Sequence, residues 1–197
     1  MRRNRKLLLA AVATGGVAVP LAIAGVAFGH GYTDSPESRQ AKCASGEVAD
    51  CGAVAHEPQS VEGPKGFPDN DIADGSICSA GLEGFAALDD PRGGEWPTTT
   101  MNPGEQTFHW TLTAPHATDK WEFFITKDGW DGTKALTRAD LEAEPFFTQD
   151  DGGAKPGNSV DLTVNVPDKT GRHLILGVWT IADTSNAFYA CSDVTFE

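Results

Sequence analysis

"EQTFHWTLTAPHATDKWEFFITK", residues 105–127, decides the fold. Phe108, Trp110, Leu112 and Ala114 alternate with His109, Thr111 and Thr113. That two-residue period marks a strand with one face in a core, and Pro115 ends it. Further on, "WEFFITK" (121–127), "SVDLTVNV" (159–166), "HLILGVWTIA" (173–182) and "AFYACSDVTF" (187–196) read as strands. Turn residues separate them at 128–129, 151–153 and 168–171. Short strands at this spacing predict a mainly β protein, an antiparallel sandwich of the immunoglobulin/fibronectin-III-like kind. Thr137-Arg138-Ala139-Asp140 has the spacing of a capping box and predicts a short helix over 137–143.

From His30 to about Gly104 the texture changes to Gly, Pro, Asp and Ser with little periodicity. A structureless stretch of about seventy residues is foreign to a compact domain. Trp96 and the cysteines of this region predict instead an excursion of loops and short helices. It would pack beside the sandwich, between an N-terminal strand and the main strands. There is no internal repeat, linker or second domain in the pattern.

Residues 1–6, MRRNRK, carry four positive charges, and an apolar run follows to Ala27-Phe28-Gly29. These are the three regions of a secretory signal, cut before His30. A membrane anchor is the rival, since about 20 apolar residues span a bilayer. Gly15, Gly16, Pro20 and the small-residue exit favour cleavage. Arg2-Arg3 lacks the apolar followers of a twin-arginine signal. The expectation is therefore a signal peptide over 1–29, one secreted, monomeric domain over 30–197, and no membrane attachment after the cut.

That cut removes four of 15 basic residues and no acid, moving the formal charge from −13 to −17. So acidic a chain is a poor partner for nucleic acid or anionic membranes. The four cysteines, Cys43, Cys51, Cys78 and Cys191, read as two disulfides in an exported chain, with three pairings possible. Cys43 and Cys51 are near enough to staple a local loop, which leaves Cys78 with Cys191 as a long-range tie. None of the cysteines has the short spacing of a zinc site.

Of the five histidines, His30 has the most informative position. Once exposed by cleavage it offers an α-amine and an imidazole on one residue. His116 lies just beyond the strand that ends at Pro115, where a rigid element holds a loop side chain in place. His109 and His173 are expected on outward strand faces. Three nitrogens from His30 and His116 suit copper rather than calcium or magnesium, although zinc also accepts such donors. Other chemistries fail. "DNDIADG" (69–75) puts Ala73 where a calcium loop needs an oxygen. There is no G-x-S-x-G elbow and no glycine fingerprint for a nucleotide. Asp89-Asp90 and Asp150-Asp151 read as solvated loop carboxylates.

Four stretches, in order and across essentially all of 30–197, resemble the bacterial lytic polysaccharide monooxygenases, also described as chitin-binding type-4 domains. They are "HGYTDSPESRQ" (30–40), "CGAVAHEPQSVEGPKGFP" (51–68), "WTLTAPHATDKWEFFITKDGWD" (110–131) and "VWTIADTSNAFYACSDV" (178–194). The resemblance implies a histidine brace holding one copper ion: the amine and ring of His30 and the ring of His116. It implies an external electron donor and O₂ or H₂O₂ as co-substrate. Phe188 matches the buried aromatic beside the copper, Ala114 the small residue packed over it, and Glu62 a nearby carboxylate. Trp179 is expected in the core beneath the site. Glu57, Gln59, Ser60, Asp183 and Thr184 match polar members of a flat substrate face. His56 stands where relatives present Tyr or Trp, giving a smaller and more polar surface to a sugar ring.

The implied function is oxidative cleavage of a crystalline polysaccharide, chitin ahead of cellulose, at C1. A non-catalytic chitin-binding module would use the same flat face and need no metal. A secreted copper-binding protein would need no polysaccharide.

Overall fold

The computed structural model describes residues 29–197; all of the expected leader but Gly29 lies outside the described residues. Nine strands and one α-helix follow in chain order. β1 (His30–Ser35), β4 (Gly104–Ala114) and β7 (Ser159–Val166) form a three-stranded antiparallel sheet with β4 in the middle. The second sheet has six strands. β8 (Gly171–Ile181) and β9 (Asn186–Phe196) are its long central pair. β5 (Thr118–Ile125) and then β6 (Phe147–Asp150) extend it from β8. On the far side β2 (Glu62–Pro64) and β3 (Thr99–Met101) both pair with β9. The predicted sandwich is present, with one departure: β3 runs parallel to β9.

The alternation of the 105–114 stretch is realised in β4. Phe108, Trp110 and Leu112 are buried and face Phe123, Ile125, Trp179 and Phe188 across the sandwich. Gly177 allows the close approach: a Cβ there would lie 3.0 Å from both Phe123 and Trp110. The six-stranded sheet is covered on its other face too. Phe124, Leu174, Leu176, Val178 and Tyr189 pack on Val54, Val61, Phe67, Ile77, Leu88 and Trp96 of the excursion. A sheet buried on both faces explains why β8 and β9 read as nearly unbroken apolar runs.

Residues between β1 and β3 thus form a second layer around that sheet. α1 (Arg39–Ser45), one of the short helices expected in this region though not placed there, is capped by Ser38 and closed by Gly46 at φ 80°. Arg39 reaches from it to β9, bonding Asp193 at 2.7 Å and the Leu88 carbonyl at 2.7 Å. Arg172 donates to the same buried carboxylate at 2.7 Å. The disulfides are Cys43–Cys51 and Cys78–Cys191, the second tying the excursion directly to β9.

Two local expectations are corrected. The helix over 137–143 is only a 3₁₀ turn at Arg138–Asp140. Its capping box is present, but Leu141 turns extended and bridges Thr126, so the helix cannot continue. His173 does not face outward. It is buried, with Nδ1 beside Thr126 and Nε2 3.2 Å from the Thr170 carbonyl, because both faces of β8 are covered.

Candidate functional site at the start of β1

β4 and β5 belong to different sheets, and Pro115-His116-Ala117 carries the chain between them. Pro115 lacks the N–H that would extend the ladder. His116 therefore sits at one end of the sandwich, and its side chain is largely buried. The pairing of β1 with β4 brings the first strand to the same end, with His30 opposite Ala114. The two residues before His116 and the first residue of β1 are thereby neighbours.

The His116 ring is oriented from several sides. Its Nδ1 lies 3.1 Å from Oδ1 of Asp183. Its Cδ2, the carbon bonded to Nε2, faces residue 29: a Cβ there would be 3.4 Å away. The Nε2 edge is thus turned toward the junction with His30. Behind the ring, Trp179 Nε1 donates to Thr118 Oγ1 at 2.8 Å, and that hydroxyl donates to the His116 carbonyl at 3.2 Å. Trp179 is fully buried and stacks on Trp121 at 5.2 Å.

Phe188 closes the inner side. Its ring is 6.3 Å from that of His30 and 5.0 Å from that of Trp179. On β2 the residue opposite Phe188 is Glu62. The Glu62 carboxylate is half-buried and accepts a 2.7 Å hydrogen bond from Asn186. Tyr189, next to Phe188, fixes β2 by donating to the Pro64 carbonyl at 2.6 Å and accepting from Asn70 at 2.7 Å. Burial pushes the Tyr189 phenol up to about 12, so it stays a donor.

The residues expected to form a polar face lie on two chain connections, one before β2 and one between β8 and β9. Glu57 precedes a 3₁₀ turn over Pro58–Ser60 that packs against β1, with Gln59 and Ser60 half-buried. His56 and Glu57 are exposed. Asp183 and Thr184 lie on the β8–β9 connection, where Thr184 Oγ1 accepts from the Asn186 backbone at 3.2 Å. Asn186 was not among the candidates from sequence, because an Asn in a turn carries no signal of its partner. The loop carboxylates are more engaged than solvated ones: Asp151 accepts from Trp121 Nε1 at 2.9 Å, and burial raises the pKa of Asp89.

Among the described residues no group of three or more His, Cys, Asp or Glu side chains is arranged to hold a metal. A brace requires only two such side chains, its third donor being a main-chain amine. The donor set of His30 and His116 fits copper on that chemistry, with Nε2 of His116 left unengaged by Asp183.

A family model described as "Lytic polysaccharide mono-oxygenase, cellulose-degrading" matches residues 30–194. The chain is 42% identical over 192 residues to a "Lytic chitin monooxygenase" of Streptomyces ambofaciens, covering 98% of this chain and 95% of that one. Several other curated relatives are longer, and the chain spans about half of their length or less. An AA10 lytic polysaccharide monooxygenase from Streptomyces lividans superposes with a TM-score of 0.82 at 53% identity, over 85% of this chain and all of the other. A Bacillus amyloliquefaciens CBM33 solved in complex with Cu(I) does so at 0.77 and 39%, with the same coverage. The chain belongs to the AA10 lytic polysaccharide monooxygenases, copper enzymes that cleave polysaccharides oxidatively.

Proposed function

We propose that the chain, secreted and cut before His30, is a copper-dependent monooxygenase of crystalline chitin that oxidises C1. The observation that carries this is the meeting of His30 and His116 at one end of the sandwich, through the His30–Ala114 pairing and the Nε2 edge of His116 turned toward residue 29. The amine and ring of His30 and Nε2 of His116 would hold the metal. Copper bound there supplies the one-electron chemistry that makes an oxidant of O₂ or H₂O₂. With peroxide the balance is one C–H bond and one H₂O₂ giving one hydroxylated carbon and one water. With O₂, two electrons and two protons from outside are also needed. The hydroxylated C1 then expels the glycosidic oxygen and leaves an aldonic acid end after hydration.

The protein's own groups divide the remaining work. Glu62, held by Asn186 and opposite Phe188, supplies or takes a proton at the co-substrate oxygen. Phe188 and Trp179 keep the inner side dry. Ala114, opposite His30, keeps the approach narrow without filling it. Glu57, Gln59, Ser60 and Thr184 give hydrogen-bonding groups to sugar hydroxyls and acetamides.

Chitin is favoured over cellulose by the likeness of "EPQSVEGPKGFP" and "ADTSNAFY" to chitin-active members and by the chitin monooxygenase among the relatives. The test is mass analysis of soluble products after incubating copper-loaded mature protein and ascorbate with β-chitin or with cellulose. Aldonic-acid chito-oligosaccharides are expected. Products from cellulose alone would reverse the substrate, C4-oxidised ends would reverse the position, and chitin binding without reductant-dependent product would leave a binding module.

A further inference from the structure

The Asp183 carboxylate lies 3.1 Å from Nδ1 of His116, although its place on the polar face marks it as a sugar contact. We propose that Asp183 is instead a positioning residue for His116, fixing which ring nitrogen carries the proton and which is left for the metal. The inference rests on the proposed copper site and deepens it.

An ionised carboxylate can only accept hydrogen bonds, so a neutral His116 ring facing it must carry its proton on Nδ1. The lone pair then lies on Nε2, and the Cδ2–Nε2 edge is the one turned to residue 29. Asp183 does not reach this position by chance of a flexible loop. It follows β8 by two residues, and Ala182 donates its N–H to the Ala117 carbonyl at 2.8 Å. Thr118 pairs with Ile181 in the adjoining ladder. The segments bearing Asp183 and His116 are therefore sewn together immediately beside the contact. Thr118 Oγ1 also holds the His116 carbonyl, so main chain and ring are oriented separately. The His116 side chain is 8% exposed against 56% for Asp183. The ring is thus confined by packing, while the carboxylate that contacts it stands largely in solvent.

A carboxylate behind a metal-binding imidazole orients the ring and raises its basicity, and its loss costs about 10- to 100-fold in metal affinity. A sugar contact would leave metal affinity untouched and weaken polysaccharide binding. The two roles separate in the copper-free protein.

The experiment uses the mature chain and the variants Asp183→Ala and Asp183→Asn. Two-bond ¹H–¹⁵N correlation spectra of the copper-free proteins at about pH 8 report the tautomer of each histidine. The wild type is expected to show His116 as the Nδ1–H form. Asp183→Ala is expected to lose that single form, and Asp183→Asn, which keeps an oxygen acceptor, to retain it. Cu(II) titration should show a loss of about 10-fold or more for Ala and less than about 3-fold for Asn. Chitin binding without copper should stay within about 2-fold for both. An unchanged tautomer and unchanged copper affinity in Asp183→Ala would overturn the proposal, as would loss of chitin binding with copper affinity intact. If the wild type binds no copper tightly, the copper site itself is wrong, and the tautomer result still stands or falls alone.

Discussion

Asn186 donates to Glu62 across the β2–β9 pairing, so the carboxylate on the residue opposite Phe188 is held by the first residue of β9, three positions after Asp183. Glu62→Gln should slow reductant-dependent product formation by about 100-fold or more, the scale of a lost proton-transfer group. Asn186→Ala should cost about 10-fold, because the carboxylate remains but is no longer aimed. Both variants should take up copper as the wild type does. A Glu62→Gln protein with full rate removes the proton role.

A chain carrying one extra residue before His30 should lose high-affinity copper binding. Its amine becomes an amide, which is no longer a neutral donor. The loss should exceed the factor of about 100 that marks removal of a supporting group. In addition, residue 29 lies where an added Cβ would be 2.9 Å from Phe188, so any side chain there crowds the site. Isothermal titration of the extended and mature proteins decides the matter; equal affinities would dismiss the brace.

The two disulfides should contribute unequally. Cys78–Cys191 closes 113 residues and Cys43–Cys51 only 8. In the chain-entropy model these are worth about 5 and about 2.5 kcal/mol. Denaturant titration of Cys78→Ala/Cys191→Ala should therefore show about twice the destabilisation of Cys43→Ala/Cys51→Ala. Equal losses would mean that packing around each bridge, rather than loop closure, sets its contribution.

Tyr189 predicts a particular alkaline limit. Its pKa rises from 10.0 to about 12, chiefly through burial. The folded protein keeps a proton there that the unfolded chain releases. Stability from this group is complete below about pH 10 and is lost as the pH climbs to about 12, an amount near 3 kcal/mol. Tyr189→Phe should be less stable at neutral pH, having lost the bond to Pro64, yet flatter between about pH 9.5 and about pH 11.5. An equally steep decline in the variant would assign the alkaline transition to other groups.

What the sequence discloses follows from how local each cause is. The β4 alternation at Phe108, Trp110 and Leu112 depends on one strand between one core and solvent, and it survives in the fold. For β8 and β9 the strands are equally legible, but not their outward faces, since the excursion supplies a second cover; hence the misplacement of His173. The helix at Arg39–Ser45 had its signals in Ser38 and Gly46, but at two turns it offers too few positions for a helical period. Thr137 and Asp140 form the expected box, while the turn they open is ended by the distant Thr126. The chemistry of His30 and His116 is visible in residue type and position. Their meeting depends on β1 pairing with β4, and the bonds of Asp183 and Asn186 cross 67 and 124 residues, where no local pattern reaches.

The Cys78–Cys191 bridge has a consequence for how the strands around the candidate site are held. His30 and His116 lie beside β4, whereas Glu62 lies on β2, the strand that enters the second sheet from the excursion this bridge fastens to β9. A molecule whose bridge is open keeps the β1–β4 pairing that brings His30 opposite Ala114, while β2 is left to its short ladder with β9 and the bond from Asn186 to Glu62. Oxidation of the two thiols therefore adds a covalent hold where main-chain pairing is short, at the three residues of β2.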